Sequence, residues 1–246
     1  MAKTFFISDL HLSPQEPEVI NLFLRFIDYC IQQNIDGLYV LGDFFNYWLG
    51  NDSIEEWHQP IIEAFQKLGK KTKIFFLVGN RDFLIDNTTA KIFNFELISE
   101  DYQVINFDTP VTIMHGDTLC TLDTAYQKFR IFVRSPIIKK IYLALPLTLR
   151  TALAKNIKKR SVNREDYYTQ PEKYDAVLQT VDEIFYKTQT NIIIHGHTHN
   201  PKVHSYDHND IKQYRYVLGD WHSNGAYYLE VSNINDRTIM DLKFFT

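Results

Sequence analysis

Five short apolar runs in this chain each stop at a small cluster of carboxylate, amide or imidazole side chains. Phe5-Phe6-Ile7 leads into Ser8-Asp9-Leu10-His11, and Leu38-Tyr39-Val40-Leu41 into Gly42-Asp43. Lys73-Ile74-Phe75-Phe76-Leu77-Val78 leads into Gly79-Asn80-Arg81-Asp82, and Val111-Thr112-Ile113-Met114 into His115-Gly116-Asp117. Asn191-Ile192-Ile193-Ile194 then stops at His195-Gly196-His197-Thr198-His199. Runs this short and apolar read as strands buried on both faces. Their polar ends imply that the tips of five strands meet at one edge of a sheet, where open α/β structures bind ligands. Asp9 and His11 lie two residues apart, which on an extended chain puts both on one side. His197 and His199 repeat that spacing, so both imidazoles can face one ion.

The segments between these runs read mostly as helices. Ser13 can cap a helix with Pro14 in its first turn, and Ile20, Phe23, Leu24, Ile27 and Ile31 continue it until Asn34. Ser53 with Glu56 makes a capping box for a helix to about Leu68, with Pro60 expected to kink or split it. A short helix is expected from Asn87 to Phe93. From about Thr121 to Gln170 no strand is predicted, only helices punctuated by Pro136 and Pro146. Thr169 and Pro171 open another helix to about Lys187. The tail, over 214–218, 225–231 and 238–245, reads as antiparallel strands with a turn at Asn224-Gly225. Strands alternating with helices, then strands alone, predict a layered α/β sandwich with a helical insertion at approximately 121–170 in a single domain over 1–246.

Charge is unevenly spread. The 246 residues carry a net −4, yet Ala125 to Arg160 holds ten Lys/Arg and no Asp/Glu, which leaves the rest at −14. Two cysteines, Cys30 and Cys120, are too few for a disulfide framework, and a reducing cytoplasm is expected. The start, Met-Ala-Lys-Thr, runs straight into a strand, so no signal peptide is expected. No apolar run reaches the roughly 18 residues needed to span a bilayer.

The strand-end residues Asp9, His11, Asp43, Asn80, His115, His197 and His199 form a mixed oxygen and nitrogen donor set. Such a set suits two borderline divalent ions such as Mn²⁺, Fe²⁺ or Zn²⁺, and the lack of cysteine ligands argues against a structural zinc site. If the seven serve two ions, one carboxylate must bridge, and Asp43 is the natural candidate. Two ions about 3.5–4 Å apart activate water and neutralise charge at phosphorus. Singly, each residue has a blander reading: an Asp after a strand usually caps a helix, and a lone His such as His58, His204 or His208 reads as a surface residue. It is the ordered repetition that favours metal. Arg81, directly after Asn80, cannot act as a general acid but can grip phosphate oxygens. A site without that acid suits a leaving group that needs little protonation, such as phosphate in an anhydride. The competing reading pairs Arg81 with Asp82.

These motifs resemble those of the calcineurin-like metallophosphoesterases. The resemblance implies an αββα sandwich with an inserted helical lid. It further implies one ion held by Asp9, His11, Asp43 and His199 and another by Asp43, Asn80, His115 and His197. At finer grain, Ser8-Asp9-Leu10-His11-Leu12, Gly79-Asn80-Arg81-Asp82-Phe83-Leu84, Leu143-Ala144-Leu145-Pro146-Leu147 and Leu218-Gly219-Asp220-Trp221-His222 are similar to the pyrophosphatases of lipid A biosynthesis. That family cleaves UDP-2,3-diacylglucosamine to UMP and 2,3-diacylglucosamine 1-phosphate, depends on Mn²⁺ and attaches peripherally to the inner membrane. The implied activity is attack of a metal-activated water on the uridine-side phosphorus, with two Mn²⁺ per chain and with Asp43, Asn80, Arg81 and His197 catalytic. Asn80, Arg81, Asp123, Tyr126, Ser161 and His197 match substrate-contact or lid positions, whereas 162–175 depart from the family pattern. Asp117 and His195 are candidates for orienting the ligands.

The basic insertion, with Lys139, Lys140, Arg150, Lys155, Lys158, Lys159 and Arg160 among Ile137, Ile138, Ile141, Leu145 and Leu149, suits an anionic membrane surface. Ordinary packing on the body is the alternative. The expected location is the cytoplasmic face of the inner membrane. Nucleic acid is not expected, because the insertion lacks aromatics spaced for base stacking. A phosphodiesterase or nuclease of the same superfamily, and a scaffold that has lost its chemistry, are the rival readings.

Overall fold

β1 (Lys3–Ile7) has no solvent face in the computed structural model, which describes residues 3–98, 101–161, 170–208, 210–234 and 237–246. Phe5 and Ile7 enter one apolar cluster and Phe6 another, as the two-residue alternation of a strand requires. β1 pairs in parallel with β2 (Gly37–Val40), and β2 with β3 (Lys73–Leu77), which carries β4 (Glu96–Ile98) at the edge. On its other side β1 pairs antiparallel with β10 (Ala226–Ile234), and β10 with β11 (Arg237–Phe245). The resulting six-stranded sheet has the order β11-β10-β1-β2-β3-β4.

The second sheet is built from β5 (Tyr102–Asn106), β6 (Pro110–Met114), β7 (Ile192–His195), β8 (Lys202–His208) and β9 (Ile211–Val217), in the order β5-β6-β7-β9-β8. Phe6, Leu41, Leu77, Val111, Ile113, Ile194 and Leu229 pack between the two sheets. Outside the first sheet lie α1 (Pro17–Gln33), α2 (Gln59–Leu68) and α3 (Asn87–Phe93), with Phe23, Phe26, Phe65 and Phe93 buried against it. Outside the second, α7 (Leu178–Thr188) sets Val181 and Phe185 on Met114 and Ile193. Helix, sheet, sheet, helix is the expected αββα layering. Between β6 and α7 the chain forms α4 (Thr124–Arg134), α5 (Pro136–Leu143) and α6 (Leu147–Ser161).

Several expected boundaries move for local reasons. α1 starts at Pro17 rather than at Ser13-Pro14, because Glu16 N–H bonds the Ser13 carbonyl in a turn that ends before the helix. Pro60 opens α2 instead of kinking it, and the capping box belongs to Glu55 and His58, not to Ser53 and Glu56. That role buries His58, which is therefore no surface residue. The helix expected from Thr169 to Lys187 is broken: Pro171–Tyr174 is one 3-10 turn, Val177 N–H is drawn to the Leu119 carbonyl, and α7 starts at Leu178. β9 joins the second sheet, parallel to β7 and antiparallel to β8, so of the expected antiparallel tail only β10 and β11 pair with each other. β4, β5 and β8 went unpredicted, and all three lie at sheet edges, where strands need not be apolar.

Candidate metal centre

Every polar cluster flagged in the sequence follows a strand whose tip lies at the same end of its sheet. The loops after β1 and β2 are stitched together, Asp9 N–H bonding the Gly42 carbonyl and His11 N–H the Asp43 carbonyl, each at 3.0 Å. Gly196 N–H bonds the His115 carbonyl at 2.8 Å, and Trp221 N–H the Asp9 carbonyl at 3.1 Å. Asp9 and His11 do not converge through extended spacing, since the strand ends at Ile7 and both residues are left-handed. Asp9, His11, Asp43, His197 and His199 have φ of 56°, 50°, 51°, 67° and 52°. Each such residue is strained by about 1–3 kcal/mol, and strain of this kind gathers at functional sites.

Side-chain geometry joins all seven candidates. Asp43 sits between two groups, its Oδ2 3.9 Å from His11 Nδ1 and its Oδ1 3.6 Å from His115 Nε2. His199 Nε2 lies 3.5 Å from Asp9 Oδ1 and 3.3 Å from His11 Nε2. His115 Nε2 is 2.9 Å from Asn80 Oδ1. The two histidines of the last motif separate: His199 joins Asp9 and His11, while the ring of His197 lies 5.0 Å from that of His115. Asp9 Oδ2 accepts from His197 N–H at 2.9 Å.

The chemistry of these donors fits divalent cations. Asp9, His11 and His199 can hold one ion, and Asp9, Asp43 and His115 form a second such group. Asp9 Oδ1 and His11 Nδ1 are buried without hydrogen-bond partners, a costly arrangement unless something else satisfies them. His115 Nδ1–H donates to the Leu41 carbonyl at 2.8 Å, which turns a bare Nε2 toward the oxygens of Asn80 and Asp43. Acceptors facing acceptors require a proton or a cation between them. Burial raises the Asp43 carboxyl, and the neighbouring charge of Asp9 adds to this against His115 and Arg81. Burial pulls His199 down, but the carboxylates of Asp220 and Asp9 beside its two ring nitrogens hold it up at about 10.

Arg81 faces the cluster. Its Nε lies 3.3 Å from Asp43 Oδ2 and its Nη1 donates to Asn46 Oδ1 at 3.0 Å. Asp82 is not its partner: that carboxylate accepts from Gly79 N–H at 2.7 Å and Phe44 N–H at 2.8 Å, tying two loops together. Tyr126 stacks over His197 at 6.1 Å between ring centres and donates to Asp117 Oδ2 at 2.6 Å. Asp123 caps α4 by accepting from Tyr126 N–H. Asp117 bonds Tyr126, Arg130 and Arg134 of α4 rather than a candidate ligand. His195 Nε2 accepts from Arg215 while its Nδ1–H donates to the Gly196 carbonyl, so it supports the loop backbone. The side chain of Ser161, and residues 162–169, lie outside the described residues.

Sequence reading assigned no role to Asn46, Arg130 or Arg134, and it placed Asp220 only within the family-like run Leu218-Gly219-Asp220-Trp221-His222. For Asp220 a signal existed, since Leu218-Gly219-Asp220 repeats after β9 the strand, glycine, aspartate order of Leu41-Gly42-Asp43. Arg130 and Arg134 lie one helical turn apart on α4 and Asn46 in the loop after β2, and their partners come from segments distant in sequence that no local pattern announces.

A model of the calcineurin-like phosphoesterase family matches residues 2–201. A UDP-2,3-diacylglucosamine hydrolase from Proteus mirabilis (strain HI4320) is 39% identical over 232 residues, covering 94% of this chain and 95% of the relative. Its counterpart from Coxiella burnetii (strain RSA 331 / Henzerling II) is 37% identical over 226 residues, covering 92% of each. One from Photorhabdus laumondii subsp. laumondii is 38% identical over 249 residues, covering 98% of each.

Proposed function

The chain belongs to the calcineurin-like phosphoesterase family, and from that premise we propose that it hydrolyses the pyrophosphate of UDP-2,3-diacylglucosamine to UMP and 2,3-diacylglucosamine 1-phosphate. The observation that carries this reading is a donor cluster of Asp9, His11, Asp43, His115 and His199, flanked by Asn80 and His197, with Arg81, not a histidine, beside its central carboxylate. Identity of 39% and 38% over 94% and 98% of the chain to relatives of that name supports the substrate.

Asp9, His11, Asp43 and His199 would hold one ion, and Asp43, Asn80, His115 and His197 the other, with Mn²⁺ proposed and Fe²⁺ or Zn²⁺ compatible with the same donors. When bound, such a pair supplies Lewis-acid neutralisation of phosphoryl charge and an acidified water. The chain's own contribution begins with orientation. Arg81 is held by Asn46 and Asp43, so its fixed positive charge meets the phosphoryl oxygens without reorganising. Asn80 and His197 line the same space as polar groups for the diphosphate. A water oxygen bonds to the uridine-side phosphorus as the bond from that phosphorus to the bridging oxygen breaks, and the water's proton passes to solvent; 2,3-diacylglucosamine 1-phosphate departs as a phosphate anion, which needs no proton from the enzyme. That is why an arginine can stand where a general acid would otherwise be required.

The helices over 124–161 support a peripheral position on the cytoplasmic face of the inner membrane. They expose Ile131, Phe132, Ile137 and Ile141 alongside Lys128, Lys140 and Lys155. Among the described residues no helix is long and apolar enough to cross a membrane.

The test incubates purified protein with Mn²⁺, and separately with chelator, on UDP-2,3-diacylglucosamine beside UDP-N-acetylglucosamine. UMP release from the acylated compound alone, lost with chelator, is the expected result. Turnover of DNA or a simple diester in its place would favour a nuclease, and no turnover of any phosphate ester would favour a scaffold.

A further inference from the structure

Asp220 belongs to none of the five sequence motifs, yet it touches one of their histidines. It follows β9, and the segment carrying it is fastened to the cluster at two points. Leu218 N–H bonds the His195 carbonyl at 2.7 Å, and Trp221 N–H bonds the Asp9 carbonyl at 3.1 Å. The Asp220 carboxylate is thereby set against the outer side of His199, with Oδ2 3.3 Å from Nδ1. The same oxygen lies 3.1 Å from Nε2 of His222, whose ring is largely exposed. The carboxylate therefore links the surface to the buried end of His199.

The two ring nitrogens of His199 have different neighbours. Nδ1 faces Asp220, and Nε2 faces Asp9 Oδ1 at 3.5 Å and His11 Nε2 at 3.3 Å. To ligate an ion the ring must first give up one of the two protons its carboxylate neighbours favour, and the neutral imidazole then has one proton to place. On Nδ1 it is donated to Asp220 and a bare lone pair is left on Nε2, inside the cluster. On Nε2 it points at Asp9 and blocks the position a cation would take. The Asp9 carboxylate attracts the proton inward, so something outside must compete for it. We propose that Asp220 is the positioning residue that keeps the His199 proton on Nδ1 and aims the Nε2 lone pair at the site shared by Asp9 and His11. His222 shares the accepting oxygen and holds the carboxylate in line. This inference rests on the two-ion reading above, and it concerns a residue that the ligand pattern does not include. Carboxylates behind ligating histidines tune affinity and orientation in just this manner.

The experiment measures ion binding and tautomer, neither of which depends on the substrate being correctly identified. Zn²⁺ and Mn²⁺ affinities are taken by calorimetry on the full chain, with ¹⁵N-histidine spectra of the Zn²⁺ form reporting which nitrogen of His199 carries hydrogen. Asp220→Ala is expected to weaken one of the two ions by roughly 10–100-fold and leave the other in place. Asp220→Asn, whose amide oxygen still accepts from Nδ1–H, is expected to retain the Nδ1–H tautomer and recover most of the affinity. Thermal melts of both variants show whether the fold is kept. Unchanged affinity and an unchanged His199 tautomer in a folded Asp220→Ala protein would overturn the proposal. So would Asp220→Asn behaving like Asp220→Ala. Should the wild type bind two ions and yet release no UMP, the substrate assignment falls while the Asp220 comparison still decides its own question.

Discussion

A guanidinium at position 81 offers hydrogen-bond donors in a planar fork and cannot act as a general acid, which makes it selective among phosphate chemistries. Arg81→Ala is expected to lower kcat on the diphosphate substrate by roughly 10²–10³-fold, the usual loss when one fixed donor to a developing oxyanion is removed. Arg81→Lys keeps the charge but loses the planar fork that Asn46 and Asp43 orient, so it is expected to recover only a small part. Steady-state kinetics that leave KM close to wild type would place the loss in the transition state. Recovery to full rate by lysine would show that charge alone suffices. Gly42 makes a different residue-scale argument. Its φ is +90°, and an added Cβ would stand 2.5 Å from Gly79 N and 2.8 Å from His115 Nδ1. The loops bearing Asp43, Asn80 and His115 touch there with no room for a methyl group. Gly42→Ala is therefore expected to abolish tight Mn²⁺ binding, as read by calorimetry, even in protein that remains folded. Here the sequence was informative: the strand, glycine, ligand order was visible, and close backbone approach is its physical reason. What it could not reveal is that five ligand candidates are left-handed, because φ follows from contacts between loops.

At the scale of elements, the basic insertion illustrates what charge counting hides. Arg150 reads from sequence as one cation of a membrane-facing stretch, yet it is 1% exposed. Its guanidinium donates to the carbonyls of Leu49 and Leu145 and to Asp52, which fastens the junction of α5 and α6 to the loop after β2. Arg130 and Arg134 grip Asp117, Arg134 also reaches the Gly79 carbonyl, and Lys139 donates to the Phe83 carbonyl. Among the seven basic residues of the insertion whose side chains are described, four thus point inward, a division that no count of charges could predict. Arg150→Met is expected to leave two carbonyls without their donor, at about 1–3 kcal/mol each. A fall in Tm of roughly 5 °C or more should follow, together with faster proteolysis between α5 and α6. Asp52→Asn should change Tm little, since that carboxylate is mostly exposed. His195 adds a pH dependence. Burial, reinforced by Arg215, holds it down at about 3. Between about 6.5 and 3 the unfolded chain binds this proton and the folded chain does not, so stability falls as pH falls through that window. In chelator, the urea midpoint should drop from pH 6.5 to 5, and less so in His195→Gln; an identical slope in the variant would remove His195 as the cause.

For the whole molecule, the inward arginines change what the outer surface can do. With Arg130, Arg134, Lys139 and Arg150 engaged, the exposed cations of the described insertion are Lys128, Lys140 and Lys155, interspersed with exposed apolar side chains. On α5, Ile137 and Ile141 share one side at helical spacing, 69% and 58% exposed, with Lys140 between them. A diacylated substrate is itself a membrane component, so an enzyme acting on it gains by docking where the acyl chains lie. The physics separates two contributions. Each lysine near an anionic surface supplies about 1 kcal/mol and is screened by salt, whereas buried isoleucine area is not. Sedimentation with vesicles containing phosphatidylglycerol should therefore show binding that weakens as salt rises. Replacing Lys128, Lys140 and Lys155 with alanine should reduce partitioning by on the order of 10²-fold. Ile137→Asp with Ile141→Asp should abolish it at low salt, while hydrolysis of detergent-dispersed substrate persists, because neither side chain belongs to the donor cluster. Equal partitioning onto purely zwitterionic vesicles would show that the lysines are not what the surface attracts. Loss of hydrolysis in detergent with the isoleucine pair would instead make α5 a wall for the acyl chains.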